Sequence, residues 1–169
     1  MFAALIVLAA TPVIGRVAHA AGAVDHPTEE RRMHTRATPL LGGLAIYLAW
    51  LIPVLLFVHI SRPVWGVIAG ATIVVAVGLF DDLFELEPIV KFTGQLLAIG
   101  VAAYFGVRIG RVAVPFVGEF LRFPGALSVV VTMAWMAAIV NMVNFIDGLD
   151  GLAAGVCGIA AVTFSIISI

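Results

Sequence analysis

The groups in this 169-residue chain whose spacing suggests chemistry fall in three polar clusters. Asp81 and Asp82 stand side by side at the end of an apolar run, in Gly78-Leu79-Phe80-Asp81-Asp82-Leu83-Phe84-Glu85-Leu86-Glu87-Pro88, with Lys91 just beyond. Adjacent carboxylates repel each other, and a divalent cation relieves that repulsion. Mg2+ suits the place because it takes oxygen ligands and is commonly held by one or two carboxylates plus substrate phosphates. Taken alone, the pair reads more readily as structural, marking the membrane boundary and capping the following helix. In a second cluster, Asn141, Asn144 and Asp147 recur at every third position, which on a helix makes one polar stripe. Asp150 extends the stripe if the helix continues. Gly148 and Gly151, beside it, admit backbone conformations closed to other residues. The loop lacks the alternating acids and distal Glu of an EF-hand. The third cluster runs from Asp25 to Pro39 and ends at Gly42-Gly43. Its Arg31, Arg32 and Arg36 offer planar donors for phosphate, and His34 is a further candidate contact. Gly42-Gly43 could let helices or a ligand approach closely, although a charged loop beside an apolar helix is also ordinary.

The elements that must position these groups are apolar. Apolar residues make up 63% of the chain and charged residues 11%, and the mean hydropathy is +1.18. Soluble domains run at about 45–50% apolar and about 25% charged, and a short chain cannot hide so much apolar surface within itself. Lipid is the remaining solvent. Six spans are expected, near 2–20, 41–60, 64–80, 92–107, 127–144 and 151–169, each approaching the roughly 17–20 residues a crossing needs. The fold class is an all-α integral membrane protein with short loops, in one polytopic domain over 1–169. Val, Ile and Phe interleaved with Gly110, Pro115 and Gly118 between spans four and five suggest a small hairpin on the side away from the acids, or an irregular connection.

If every span crosses, loops near 21–40, 81–91 and 145–150 share one side. That side holds all five aspartates and four of the five glutamates, leaving Glu119 alone on the other. Lys and Arg, five against four, do not set the orientation. Ala18-His19-Ala20 has the form of a signal-peptidase site, but no positive charge precedes the apolar run, so a retained first helix is expected. The last span reaches Ile169 without cap or polar tail, so the chain is expected to be the N-terminal portion of a longer protein. A net charge of −1 argues against a nucleic-acid partner. The lone Cys157 removes disulfide and cysteine–zinc frameworks, and no P-loop, H-E-x-x-H or G-x-S-x-G pattern is present.

Together the clusters resemble the polyprenyl-phosphate N-acetylhexosamine-1-phosphate transferases, glycosyltransferase family 4, most closely the WecA/TagO branch. The family pattern D-x-P…R-K-x-H…P-x-x-G-G reads here Asp25-x-Pro27…Arg31-Arg32-x-His34…Pro39-x-x-Gly42-Gly43, with one extra residue before Arg31 and Arg32 in place of lysine. G-L-x-D-D…P-x-x-K…Q reads Gly78-Leu79-x-Asp81-Asp82…Pro88-x-x-Lys91…Gln95, and N-x-x-N-x-x-D-G-x-D-G-L-A runs without departure from Asn141 to Ala153. The resemblance implies transfer of N-acetylhexosamine-1-phosphate, GlcNAc-1-phosphate being favoured, from a UDP-N-acetylhexosamine to undecaprenyl phosphate. UMP is released, in the lipid-linked first step of cell-envelope polysaccharide synthesis. It implies Mg2+, with Mn2+ as a substitute, and a bacterial inner-membrane location with the active-site loops cytoplasmic; a homodimer is compatible. It assigns catalytic roles to Asp81, Asp82, Asp147 and Asp150, metal binding to Asp81, Asp82 and Asp147, and substrate contacts to Asn141, Asn144, Lys91, Arg32 and His34. The family continues through further spans, so the chain alone is expected to be inactive. The competing functions are an ion-coupled transporter, which would hold its acids deep within spans, and a non-catalytic membrane subunit.

Overall fold

A computed structural model describes residues 2–20, 24–25, 38–39, 41–114, 118–148 and 151–168, with backbone alone for 24–25 and 38–39. The chain forms two compact units, Met1–Val107 and Arg108–Ile169.

The first unit contains α1 (Phe2–Ala20), β1 (Val24–Asp25), β2 (Thr38–Pro39), α2 (Gly42–Phe57), α3 (Arg62–Phe84) and α4 (Pro88–Tyr104). β1 and β2 pair antiparallel, Val24 with Pro39 and Asp25 with Thr38. Proline opens both α3 and α4, where its missing N–H would have had no intrahelical partner. α1 packs on α2, α2 on α3, and α3 most extensively on α4.

That last contact is made by small residues. Gly66 and Gly70 of α3 face Ala98 and Ala102 of α4, and a Cβ at Gly66 would lie 2.6 Å from the Phe105 Cβ. Near the other end Gly94 of α4 abuts Val77 of α3, with only 2.6 Å between an added Cβ and Val77 Cγ2. Small side chains are what membrane helices use to bring their backbones together, since lipid offers no hydrophobic drive for helix association. The Tyr47 hydroxyl meets Thr72 Oγ1 at 2.6 Å and ties α2 to α3.

The second unit contains β3 (Arg111–Ala113), β4 (Phe120–Arg122), α5 (Gly125–Ile146) and α6 (Leu152–Ile167). The two strands form an antiparallel hairpin between the fourth and fifth apolar segments, the first of the two forms left open there, and α5 packs on α6.

All six expected helices are present among the described residues. α1, α3 and α5 have 19, 23 and 22 residues and are long and apolar enough to cross a bilayer; α2, α4 and α6 are apolar but shorter. Large apolar side chains face outward along most of them, Leu8, Phe145 and Ile159 among the most exposed. A surface of this kind is stable only against hydrocarbon. The chain is an all-α membrane protein.

Candidate functional site

The carboxylate pair is built by the α3–α4 turn. α3 runs four residues past the expected end of its span, so Asp81 and Asp82 occupy its last turn instead of capping the next helix. The N-cap of α4 is Glu87, which makes no side-chain capping bond. Glu85 stops α3 in a left-handed conformation, φ 48°, while its N–H donates to the Asp81 carbonyl at 2.9 Å. A non-glycine residue in that region is strained by its Cβ. The chain turns through Glu85–Glu87 and starts back along α4 at Pro88.

The Gly94–Val77 contact now decides which side chains meet. Asp81 lies one turn beyond Val77 and Lys91 one turn before Gly94, so both fall on the faces the contact brings together. Lys91 Nζ donates to Asp81 Oδ2 at 2.5 Å, with the lysine and aspartate side chains 30% and 22% exposed. Lys91 thus neutralises one carboxylate. Asp82, also half-buried, has no salt-bridge partner among the described residues.

Next to this triad lies a feature the motifs did not signal, an apolar recess of about 470 Å³. Its walls include Val77 and Phe80 of α3 and Ile89, Val90, Thr93 and Leu97 of α4. Neither Asp81 nor Lys91 lines it, but Asp81 follows the lining residue Val77 by one turn and Lys91 precedes Gly94 by one turn. The missing side chain at Gly94 helps to open it. The sequence signal was Gly94 itself, a glycine inside an apolar helix one turn from the lysine.

The second polar group occupies the end of α5. Asn141 Nδ2 donates to the Ala137 carbonyl at 2.8 Å, while Asn144 and Asp147 are exposed. Asp147 is the C-cap, its N–H bonded to the Val143 carbonyl at 3.1 Å. A carboxylate there adds to the negative end of the helix dipole, an arrangement a cation stabilises. α5 ends at Ile146, and Gly151, φ 76°, is the N-cap of α6. Asp150, Arg32 and His34 lie outside the described residues. Gly42 and Gly43 have open space where a Cβ would stand, so the close approach expected there is made by Gly66, Gly70 and Gly94 instead.

Among the described residues no three His, Cys, Asp or Glu side chains cluster as a self-sufficient metal cage. The donors that are present are carboxylate oxygens, hard ligands that fit Mg2+ where substrate phosphates and water complete its shell. Lys91, bound to one of them, prevents the excess negative charge that a bare pair would carry.

Residues 64–169 match the family model described as glycosyl transferase family 4. A Bacillus subtilis protein named "Probable undecaprenyl-phosphate N-acetylglucosaminyl 1-phosphate transferase" is 35% identical over 136 residues, 80% of this chain and 37% of that protein. The decaprenyl-phosphate N-acetylglucosaminephosphotransferases of Mycobacterium leprae and Mycobacterium tuberculosis are 37% and 36% identical, each over 82% of this chain and 37% and 36% of their own lengths. The chain therefore spans a little over a third of the length of these relatives. No solved structure matches it significantly.

Proposed function

The chain belongs to glycosyl transferase family 4, and on that premise we propose that it serves in transferring N-acetylglucosamine-1-phosphate from UDP-N-acetylglucosamine to undecaprenyl phosphate. An oxygen of the lipid phosphate displaces UMP from the phosphorus that carries the sugar. Two negatively charged reactants must meet, one anchored in lipid and one soluble, so the site belongs where a span meets water. The observation that carries this function is the Asp81–Lys91 pair with Asp82 at a helix end, one turn from residues that line an apolar recess. The charged pair one turn away suits phosphate and the apolar walls of the recess suit an isoprenoid, within the size range of about 300–1,000 Å³ usual for ligand pockets.

Asp81 and Asp82 would hold Mg2+ (or Mn2+), which when bound supplies neutralisation of the pyrophosphate charge and stabilises the leaving UMP. Lys91 holds Asp81 in place and offers its remaining N–H donors to a phosphate oxygen. Asn144 and Asp147, exposed at the end of α5, are donor and acceptor for the nucleotide-sugar, and Asp150, Arg32 and His34 complete the contacts. Most of the rate then comes from positioning and charge stabilisation, as is usual for phosphoryl transfer. The acid-bearing helix ends face the cytosol in this scheme, where the soluble nucleotide is found. Placement of Asp81 and Asp82 in a terminal turn, away from mid-span, disfavours an ion-coupled transporter.

The test is transfer of radiolabelled GlcNAc-phosphate from UDP-GlcNAc to undecaprenyl phosphate by membranes containing the protein at its full natural length. Asp82→Asn and Asp147→Asn keep side-chain shape and remove charge; each is expected to lower transfer by about a hundredfold or more. Full transfer in either variant, or full transfer after chelation of divalent cations, overturns the corresponding assignment.

A further inference from the structure

The β3–β4 hairpin has no part in this chemistry, and its register is unusual. Arg111 stands opposite Arg122, Val112 opposite Leu121, and Ala113 opposite Phe120. Phe123 N–H donates to the Gly110 carbonyl and Val114 N–H to the Glu119 carbonyl, both at 2.9 Å. Those bonds make 110/123 and 114/119 hydrogen-bonded pairs. By alternation Arg111/Arg122 is a non-hydrogen-bonded pair, the kind whose Cα atoms approach to about 4.5 Å and whose side chains are closest. Like charges placed so weaken a ladder. Both arginines are exposed, and neither has an ion-pair partner among the described residues. The Arg111 guanidinium lies 5.0 Å from the centre of the Phe120 ring, which holds its stem and leaves its N–H edge open. Glu119 alternates to the opposite face.

On that face Val112, Val114 and Leu121 are all exposed, and Glu119 stands beside Val114 at the turn end. A hairpin of two three-residue strands has little stability alone in water. It is instead strapped to a span. Ser128 Oγ donates to the Ile109 carbonyl at 2.8 Å, and Ile109 N–H donates to Thr132 Oγ1 at 2.8 Å. Ser128 and Thr132, 5% and 1% exposed, sit in the first two turns of α5, and β4 ends at Arg122, just before α5 starts at Gly125. The hairpin is therefore held at the level where that helix enters the hydrocarbon.

We propose that the hairpin is an interfacial clamp for anionic phospholipid, in which Arg111 and Arg122 jointly take a headgroup phosphate while the Val112–Leu121 pair beds into the acyl boundary and Glu119, at the turn end, stays in water. Arginine supplies the planar, two-pronged donors that phosphate accepts, and the anion removes the repulsion built into the pair. The apolar pair and the strap to α5 select a lipid phosphate over a free one. This assignment stands independently of the transferase site.

The test uses the chain in nanodiscs of mixed phosphatidylglycerol and phosphatidylcholine, with the lipids retained on release measured by native mass spectrometry. The parent chain retains phosphatidylglycerol preferentially. R111Q/R122Q lowers that preference by about thirtyfold, the worth of two basic residues near an anionic surface. R111K/R122K, which keeps the charge, retains most of it and controls for the hairpin's folding, and Arg16→Gln in α1 leaves it unchanged. Equal retention of both lipids by the parent, or an undiminished preference in R111Q/R122Q, overturns the proposal. Displacement of bound phosphatidylglycerol by inorganic phosphate as effectively as by added lipid overturns the choice of lipid as the occupant.

Discussion

Asp81 and Lys91 are ten positions apart and share a hydrogen bond because a tight turn folds one helix back on another. Removing the lysine leaves two adjacent acids without compensation. Lys91→Met is expected to lower stability by about 1 kcal/mol, and Asp81→Asn in that background to restore most of it, read as a double-mutant cycle in thermal melts. Glu85 makes a separate prediction. Glycine accepts φ 48° without a Cβ clash, whereas a β-branched residue resists it. Glu85→Gly should therefore melt at or above the parent and Glu85→Val clearly below it. The acids and amides were legible in the sequence because charged and amide groups are rare beside apolar runs. The Lys91–Asp81 bond was not, since it depends on how α3 and α4 rest together, nor was the left-handed turn, because glutamate gives no sign of it.

At the level of helices, the positions of all six were legible from charge-free runs alone, because hydrocarbon admits few other residues. Their ends were less so: α3 was expected near 64–80 and extends over Arg62–Phe84, since Asp81 and Asp82 can face the neighbouring helix and water from within a terminal turn. Packing was illegible where it relies on what is missing. Gly66 lies against the Phe105 Cβ and the Ala102 carbonyl, and Gly94 against both methyls and the Cβ of Val77, a β-branched side chain stiff at χ1. Gly66→Ala and Gly94→Ala should thus each cost about 1–3 kcal/mol, with Val77→Ala relieving the second and not the first. Thr132 is a similar case. It donates to the Ser128 carbonyl at 2.6 Å, as threonines in helices commonly do, and also accepts from Ile109. Thr132→Val preserves shape, strands a part-buried N–H and is expected to cost about 1 kcal/mol or more, while Thr163→Val, at an exposed position bonded only to its own helix, should be near neutral.

For the molecule as a whole, apolar helices turned outward predict that alkaline carbonate, which strips peripheral proteins, leaves the chain in the membrane pellet. α3 is long enough to cross, so His59→Cys before it and Glu87→Cys after it, in a Cys157→Ser background, should be labelled by an impermeant thiol reagent from opposite sides. Labelling from the same side would remove the basis for gathering the acids at one surface. The recess beside Asp81 carries a kinetic consequence if it admits a reactant from the surrounding leaflet. Such a reactant is rationed by its mole fraction in two dimensions, not by its amount per litre. Diluting it with inert phospholipid at constant total concentration would then slow turnover as surely as withdrawing it from the tube.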